Sequence, residues 1–320
     1  MTFKTVPVYI NSHSEALKVF EQFDNFLLDC DGVIWLSEQL IEGVPEFLQF
    51  LELHKKNFAF VTNNSSQSRS GYIKKFESLG IHGIEKGQIY TTGYSAVLEL
   101  KKMGIDSGSK VWVLGDSGIE EELIDEEYIP LGGSSALLNE PWNSKNPLLK
   151  VDPEAKAVIA GSTENFNFMR ITTTLQYLMY DNKKLPYIGT NGDRNYPGPD
   201  GLVLPAGGSM VDYMSYCSNR PYINVGKPSK TLADIIFSNR GYDRAKTIII
   251  GDTLTSDIKF GNDSDLGCGQ GTMLVFSGTT TPVDLEELLV SGNRTKEEDT
   301  LVPRYCVDSL TELLKLLISG

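Results

Sequence analysis

The chain has 320 residues, of which 40% are hydrophobic and 22% charged, so it is long enough to form two globular domains. Its net charge of −13 disfavours a nucleic-acid binder and a protein that docks on acidic membranes. Runs of about 18 apolar residues, C-x-x-C pairs and the plan of a secretory signal are all lacking, so we expect no membrane span, no zinc ribbon and a cytoplasmic location.

The first element with candidate functional residues is a predicted buried strand, Phe26–Asp29, which runs into the sequence DCDGVIW at residues 29–35. Asp29 and Asp31 start on the same side of this strand, and Gly32 lets the backbone turn sharply. Two like charges this close repel unless a cation or a shared proton compensates, and carboxylate oxygens favour Mg²⁺. An EF-hand is a weak alternative, because its first ligand position would hold a leucine. For this motif taken alone, the interpretation as an ordinary solvent-exposed turn also stays open.

The next predicted strand, Phe58–Thr62, ends in the polar sequence TNNSS. A hydroxyl and two amides placed between a strand and a helix can bind phosphate oxygens together with the helix N-terminus. Thr62, Asn63 and Asn64 are therefore candidate phosphate ligands. The same residue types also make ordinary helix N-caps, so both interpretations stay open for this segment.

The middle of the chain has its own alternation of strands and helices. After a strand at Ile89–Thr91, the pattern predicts strands at Lys110–Gly115, Ala157–Gly161 and Leu185–Gly189, a helix at Asn165–Tyr180 and irregular structure at Leu131–Pro153. We therefore expect residues near 106–221 to form a separate α/β unit inserted into the first. Asp116 follows an apolar run at a glycine, and we interpret it as a turn residue.

Two later strand ends also carry charged groups. A predicted strand at Tyr222–Val225 leads into Gly226-Lys227-Pro228, which is well placed to project a lysine into a cleft. A buried strand at Thr247–Gly251 leads into Asp252, and Asp257 follows near the start of the next helix.

The remaining elements complete a mostly parallel sheet. Strands are predicted at Met273–Phe276 and Tyr305–Val307, and a final helix at Leu310–Ile318 with Ser309 as its cap. The predicted fold class is α/β, a Rossmann-like parallel-sheet core with helices on both faces and an inserted α/β cap domain. In such sheets ligands sit at the carboxyl ends of the strands, which is where the polar segments lie.

Taken in order, the segments DCDGVIW (29–35), VTNNSS (61–66), VGKP (225–228) and GDTLTSD (251–257) resemble the four motifs of the haloacid dehalogenase superfamily. The sequence is most similar to the p-nitrophenyl phosphatase and phosphoglycolate phosphatase branch. The resemblance covers nearly the whole chain and implies a catalytic core at residues 1–105 and 222–320, with the cap at 106–221.

The resemblance also implies roles for individual residues. Asp29 would be the nucleophile and Asp31 the general acid and base. The phosphoryl group would be bound by Thr62, Asn63, Asn64 and Lys227. The Mg²⁺ ligands would be Asp29, the backbone carbonyl of Asp31 and Asp252, with Asp257 supporting the metal through water.

A cap loop is expected over the site, at residues 189–197, where Asp193, Arg194 and Tyr196 are the candidate substrate contacts. We take Arg194 as the candidate anchor for a substrate carboxylate. Two positions depart from relatives of this branch. Thr253 stands where the fourth motif often has arginine, and Tyr196 stands where pyridoxal phosphatases have histidine, which weakens a pyridoxal-phosphate assignment.

The expected function is that of a Mg²⁺-dependent phosphatase for small phosphorylated metabolites, with phosphoglycolate-like acids first and p-nitrophenyl phosphate as an artificial substrate. A phosphotransferase or phosphomutase would share Asp29 and Asp31, and a regulatory protein on the same scaffold is a further alternative. A homodimer is possible. Cys30 lies between the two acids, and we interpret it as a packed, inert thiol.

Overall fold

The computed structural model describes residues 6–198, 202–290 and 294–320. A seven-stranded sheet forms the first layer of the fold. Its strands are β1 (Val8–Tyr9), β2 (Asn25–Leu28), β5 (Asn57–Val61), β6 (Ile89–Tyr90), β14 (Thr247–Gly251), β15 (Thr272–Val275) and β16 (Tyr305–Val307).

The strands of this sheet lie in the order β1-β16-β15-β14-β2-β5-β6. Every pair of neighbours in this order from β1 as far as β5 is parallel. The apolar run of β2 is buried throughout, as expected for a strand covered on both faces. Leu28 pairs with Ile250 on one side and with Phe60 on the other. The residues that follow β2, β5 and β14 therefore leave the sheet at neighbouring carboxyl ends. The predicted parallel α/β class is confirmed.

A second parallel sheet has five strands in the order β13-β10-β9-β7-β8. They are β7 (Lys110–Leu114), β8 (Ile129–Gly132), β9 (Ala155–Ala160), β10 (Tyr187–Gly189) and β13 (Ile223–Asn224). Strand β8 falls partly in the segment predicted to be irregular. The buried residues between this sheet and its helices include Trp112, Tyr177 and Met214.

The placement of β13 corrects one expectation. We placed the strand at Tyr222–Val225 in the first sheet, whereas the observed strand pairs Ile223 with Ile188 and Asn224 with Gly189, in the second sheet. The prediction was wrong on this point because a short apolar run carries no information about its partner strand. Pairing is decided by long-range packing.

Two small antiparallel hairpins were not predicted. One joins β3 (Trp35–Leu36) to β4 (Gln39–Leu40), directly after the first aspartate motif. The other joins β11 (Asn195–Pro197), at the end of the expected cap loop, to β12 (Val203–Pro205), beyond it. Strands of two or three residues lack the length that a period-two pattern needs to be recognised.

Helices connect the strands. They are α1 (His13–Gln22), α2 (Val44–Leu53), α3 (Arg69–Ser78), α4 (Thr92–Lys102), α5 (Ser117–Asp125), α6 (Phe168–Met179), α7 (Gly207–Ser218), α8 (Lys230–Arg240), α9 (Lys259–Asp263), α10 (Pro282–Val290), α11 (Lys296–Asp299) and α12 (Leu310–Ile318). Helix α12 has the predicted bounds, and Ser309 Oγ accepts a hydrogen bond from the backbone N–H of Glu312, as expected for an N-cap. Among the described residues, no helix has the length and apolar composition that crossing a membrane requires.

The chain divides into two compact units. The first contains residues 1–62, 75–89 and 236–320, and the second contains residues 63–74 and 90–235. The strands of the first sheet lie in the first unit, except that β6 ends at Tyr90, the first residue of a second-unit segment. The second sheet lies in the second unit. The assignment of residues 106–221 as a cap, with the core at 1–105 and 222–320, stays a prediction.

Candidate active site

Three buried carboxylates meet in the first unit. Asp29 follows β2, Asp252 follows β14, and Asp257 lies in the turn after it; each offers one oxygen, and these oxygens all lie within 4.8 Å of one another. Their relative exposures are 8%, 3% and 0%. The parallel pairing of β2 with β14 brings the first two residues together, because both strands end at the same edge of the sheet.

Backbone and hydroxyl donors hold the two later carboxylates. The Oδ2 atom of Asp252 accepts a hydrogen bond from the N–H of Thr279 at 2.5 Å, and its Oδ1 atom accepts one from the Thr253 hydroxyl at 3.1 Å. The N–H of Thr253 donates to Asp257 Oδ2 at 3.0 Å. Thr253 thus contacts both acids directly.

The turn that carries Asp257 is a single π-helical turn, Leu254–Ile258, in which the N–H of Ile258 donates to the carbonyl of Thr253. Such wide turns occur frequently at functional sites. Gly32 packs closely against the Asp252 carboxylate. It has φ +84°, and a Cβ atom at this position would collide with the Asp252 carboxylate. A side chain at residue 32 is therefore excluded by both backbone conformation and space.

The electrostatics of this cluster favour a cation. Burial, followed by repulsion from Asp257, raises the pKa of Asp252 from 3.8 to about 6. Three carboxylates concentrated in a buried space are unfavourable unless positive charge or protons compensate them. Because the donor set consists of hard oxygen atoms, it fits a divalent cation of the Mg²⁺ or Ca²⁺ type. Asp29, Asp252 and Asp257 are the residues that would hold it.

The other two predicted residues of the first unit have different environments. Asp31 is exposed, and its Oδ1 atom accepts a hydrogen bond from the indole N–H of Trp35 at 2.9 Å. Thr62 directly follows β5 and is buried, with 2% exposure. Cys30 is buried and has 0% exposure, in agreement with the packed thiol that we expected.

A second cluster of predicted residues forms within the second unit around Asn63. Its Oδ1 atom accepts the backbone N–H of Lys227 at 2.7 Å, and its Nδ2 atom donates to the Lys227 carbonyl at 3.0 Å and to Asp193 Oδ2 at 2.8 Å. Lys227 is 1% exposed, which is rare for a lysine. The Asn63 amide therefore holds the backbone of the predicted phosphate-binding lysine and Asp193 in the middle of the expected cap loop.

The remaining predicted residues of the second unit make other contacts. The Oδ1 atom of Asn64 accepts hydrogen bonds from the N–H and hydroxyl of Ser66, which is an Asx turn and not a helix N-cap, because α3 begins at Arg69. Arg194 is exposed, and Tyr196 lies on β11 with 47% exposure. The substrate-binding roles carried over to these residues, and to Asn63, Asp193 and Lys227, stay predictions.

We expect Asn63→Asp to destabilise the fold, because a carboxylate oxygen would replace the amide that donates to Asp193 and to the Lys227 carbonyl. A buried donor lost in this way costs about 1–3 kcal/mol. Combining it with Asp193→Asn restores a donor to one of these contacts and should recover part of the lost free energy of unfolding. Urea titrations of the two single variants and the double variant measure the coupling, and strictly additive losses would contradict the contact.

Sequence reasoning missed two contributors to the site. Thr279 lies in the loop after β15, and Trp35 lies on the first hairpin strand. Polar residues that follow parallel strands form such sites, and four strand ends were identified on that basis. The segment SGTTT at residues 277–281 follows a fifth predicted strand, Met273–Phe276, and the same argument would have identified Thr279. Trp35 had no comparable signal, because the pattern marks it only as an apolar residue.

Comparisons with known proteins give the family of the chain. A model of the haloacid dehalogenase-like hydrolases matches residues 26–128, and a second model of HAD-like hydrolases matches residues 224–313. The chain is 34% identical to phosphoglycolate phosphatase 2 of Arabidopsis thaliana over 96% of this chain and 98% of that protein. It is 33% identical to the glycerol-3-phosphate phosphatase of Gallus gallus over 94% of each, and 32% identical to the 4-nitrophenylphosphatase of Schizosaccharomyces pombe over 95% and 97%.

Solved structures support the fold. The p-nitrophenyl phosphatase from Archaeoglobus fulgidus superimposes with a TM-score of 0.74 over 92% of this chain and 98% of that chain, at 24% identity. The resemblance that we inferred from four short motifs is confirmed over nearly the full length. The chain belongs to the haloacid dehalogenase-like hydrolase family, and it is a phosphatase.

Proposed function

We propose that the protein is a Mg²⁺-dependent phosphomonoester hydrolase that acts on small phosphorylated metabolites through an aspartyl-phosphate at Asp29. The observation that carries this proposal is the buried cluster of Asp29, Asp252 and Asp257, whose oxygens lie within 4.8 Å of one another. A nucleophilic carboxylate beside two further buried acids needs a cation both to stay ionised and to approach a phosphate dianion.

In the first half of the reaction, an Asp29 carboxylate oxygen forms a bond to phosphorus while the bond from phosphorus to the ester oxygen breaks. Asp31 donates its proton to the departing ester oxygen, so that the product leaves as a neutral alcohol. The phosphoryl group is then carried by Asp29. Dividing the displacement between two steps replaces one difficult reaction by two easier ones.

In the second half, a water oxygen bonds to phosphorus and the bond between phosphorus and Asp29 breaks. Asp31, now ionised, takes the proton from this water and returns to its starting state. Inorganic phosphate is the second product. Asp31 thus serves as acid and then as base, which requires one of its carboxyl oxygens to be accessible to the ligand. Its exposed position supports that requirement.

A bound divalent cation would supply charge neutralisation for the phosphoryl oxygens. This chain's own residues orient the carboxylates that hold it: Thr279 and Thr253 fix Asp252, and Thr253 also fixes Asp257. The hydrogen bonds restrict the rotamers of both acids, so that little rearrangement is needed when the cation binds.

The names of the relatives guide the choice of substrates. They are called phosphatases of phosphoglycolate, glycerol 3-phosphate and 4-nitrophenyl phosphate, and the first two are phosphomonoesters of two or three carbons. We propose this size class for the present protein. The expected homodimer and cytoplasmic location stay predictions.

Phosphate release from a panel of phosphomonoesters tests the proposal. With Mg²⁺ present, we expect hydrolysis of phosphoglycolate, glycerol 3-phosphate and p-nitrophenyl phosphate, and excess chelator should abolish it. Adding an acceptor sugar distinguishes the phosphotransferase alternative, since transfer would produce a new sugar phosphate in place of free phosphate. Failure to release phosphate from every member of the panel would reject the proposal.

A further inference from the structure

The turn between Cys30 and Trp35 places a tryptophan against the predicted general acid. The N–H groups of Ile34 and Trp35 both donate to the carbonyl of Cys30, at 2.8 and 3.2 Å, and the N–H of Gly32 donates to the carbonyl of Trp35 at 2.7 Å. These bonds fold the chain back on itself directly after Asp31. The indole N–H of Trp35 then reaches Asp31 Oδ1 at 2.9 Å.

The indole ring is held firmly in this position. Trp35 has 0% exposure, its ring packs on Phe76 with centroids 5.1 Å apart, and Lys75 Nζ lies 4.3 Å from the ring centroid. Lys75 also donates to the carbonyl of Ser37 at 3.0 Å, in the hairpin that carries Trp35. A cation over an indole face adds attraction to the packing of the ring. The donor is therefore preorganised, whereas its acceptor lies on an exposed side chain.

This contact makes the two oxygens of Asp31 different. An indole N–H can only donate, so the Oδ1 atom that receives it must act as an acceptor. When the carboxyl group is protonated, its proton therefore sits on Oδ2. Among the residues that the structure describes, Asp31 Oδ2 makes no hydrogen bond, so it is available to a ligand.

We propose that Trp35 is a positioning residue for phosphoryl transfer, which fixes the rotamer of Asp31 and assigns the transferable proton to Oδ2. The inference rests on the proposed function, because that function gives Asp31 the role of general acid. During the first step the Oδ2 proton moves to the ester oxygen as its bond to phosphorus breaks, while Oδ1 keeps its hydrogen bond to the indole. Trp35 itself exchanges no proton and touches no reacting atom.

The consequence is a dependence on the leaving group. An alkyl alkoxide is a poor leaving group and needs the proton, whereas p-nitrophenolate is a stable anion that departs without it. A misaligned acid should therefore slow alkyl phosphates much more than p-nitrophenyl phosphate. The appropriate quantity is kcat/KM, since it reports the steps up to release of the leaving group and excludes the hydrolysis of the aspartyl-phosphate that all substrates share.

The experiment compares Trp35→Phe with the wild-type protein on glycerol 3-phosphate and p-nitrophenyl phosphate. General acids contribute about 100- to 10,000-fold, so partial misalignment should lower kcat/KM on glycerol 3-phosphate by about 10-fold or more and on p-nitrophenyl phosphate by less than about 3-fold. Asp31→Asn should show the same selectivity with a larger loss. In the double variant, the Trp35 substitution should have no further effect.

Two variants separate positioning from general destabilisation. Replacing Trp35 by 3-benzothienylalanine keeps the bicyclic shape and replaces the N–H by a sulfur atom that cannot donate a hydrogen bond, so it should reproduce the selectivity even if Trp35→Phe folds poorly. Trp112→Phe is the matched control. Trp112 is equally buried, and its indole N–H donates to Thr174 Oγ1 at 3.0 Å. The Trp112→Phe substitution should lower kcat/KM on both substrates by the same small factor.

The outcomes distinguish the inference from the function on which it rests. If wild type hydrolyses no phosphomonoester of the panel, the proposed function fails; if it hydrolyses phosphoglycolate but not glycerol 3-phosphate, phosphoglycolate serves as the alkyl phosphate in the comparison. A further outcome is that Asp31→Asn lowers kcat/KM more on the alkyl phosphate than on p-nitrophenyl phosphate while both Trp35 variants lower it equally on the two substrates. In that case the positioning role is wrong and the function stands. If Asp31→Asn shows no selectivity, the general-acid role and the inference built on it are both rejected.

Discussion

Asp29→Asn is expected to abolish phosphate release, with a loss of at least about 10,000-fold in kcat. An amide oxygen is a far weaker nucleophile than a carboxylate, and the substitution also removes one of the three carboxylates of the buried cluster. Acid quenching of the wild-type protein with labelled substrate should trap one phosphoryl group per chain on residue 29. The variant should trap none.

A matched control for this variant is Asp116→Asn. Asp116 follows β7 in the sequence LGDS, much as Asp252 follows β14 in IGDT, and it lies at the N-cap position of α5. Because it is assigned no part in the reaction, its variant should keep wild-type turnover. Full activity in Asp29→Asn would overturn the assignment of the nucleophile, and loss of labelling in both variants would point to damage of the fold.

The second large effect concerns the stability of the protein without metal. Burial raises the pKa of Asp252 to about 6, above its ordinary 3.8. The folded state therefore retains a proton that the unfolded state has released, and the free energy of unfolding falls as the pH rises from about 4 to about 6. A difference of about two pKa units corresponds to about 3 kcal/mol. Above about pH 6 this contribution of about 3 kcal/mol to the free energy of unfolding is lost completely.

Mg²⁺ should reverse this loss, because a cation compensates the carboxylate once its proton is gone. Thermal unfolding in chelator should show the decrease between about pH 4 and about pH 6, and millimolar Mg²⁺ should raise the midpoint strongly near neutral pH and little below about pH 5. Asp252→Asn should remove both effects and should make the metal-free protein more stable at neutral pH than the wild type.

The control for this experiment removes a carboxylate that does not belong to the buried cluster. Asp106 is exposed, so Asp106→Asn should retain the decrease with pH and the response to Mg²⁺. A wild-type midpoint that does not respond to Mg²⁺ at neutral pH would contradict the metal site. A response that survives unchanged in Asp252→Asn would show that the cation binds elsewhere.

The two clusters of site residues differ in how far the sequence could predict them. Asp29 and Asp252 follow short strands that are buried along their whole length, and parallel strands of this kind end at one edge of the sheet, so their meeting was predictable. Asn63 was predicted as a direct phosphate ligand from its residue type and position. Its contacts with Asp193 and Lys227 join residues 130 and 164 positions apart, and no local pattern encodes such a separation.

Amino-acid order alone was enough to predict the parallel α/β class, the strand ends that bear carboxylates and the family, because these depend on local periodicity and on the order of short motifs. The folded structure was needed to show which sheet receives Ile223–Asn224, that Thr279 holds Asp252, and that Trp35 donates to Asp31. Strand pairing and side-chain hydrogen bonds of this kind are selected by the packing of the whole chain. Their free energies are small compared with the burial of apolar surface that first brings the elements together.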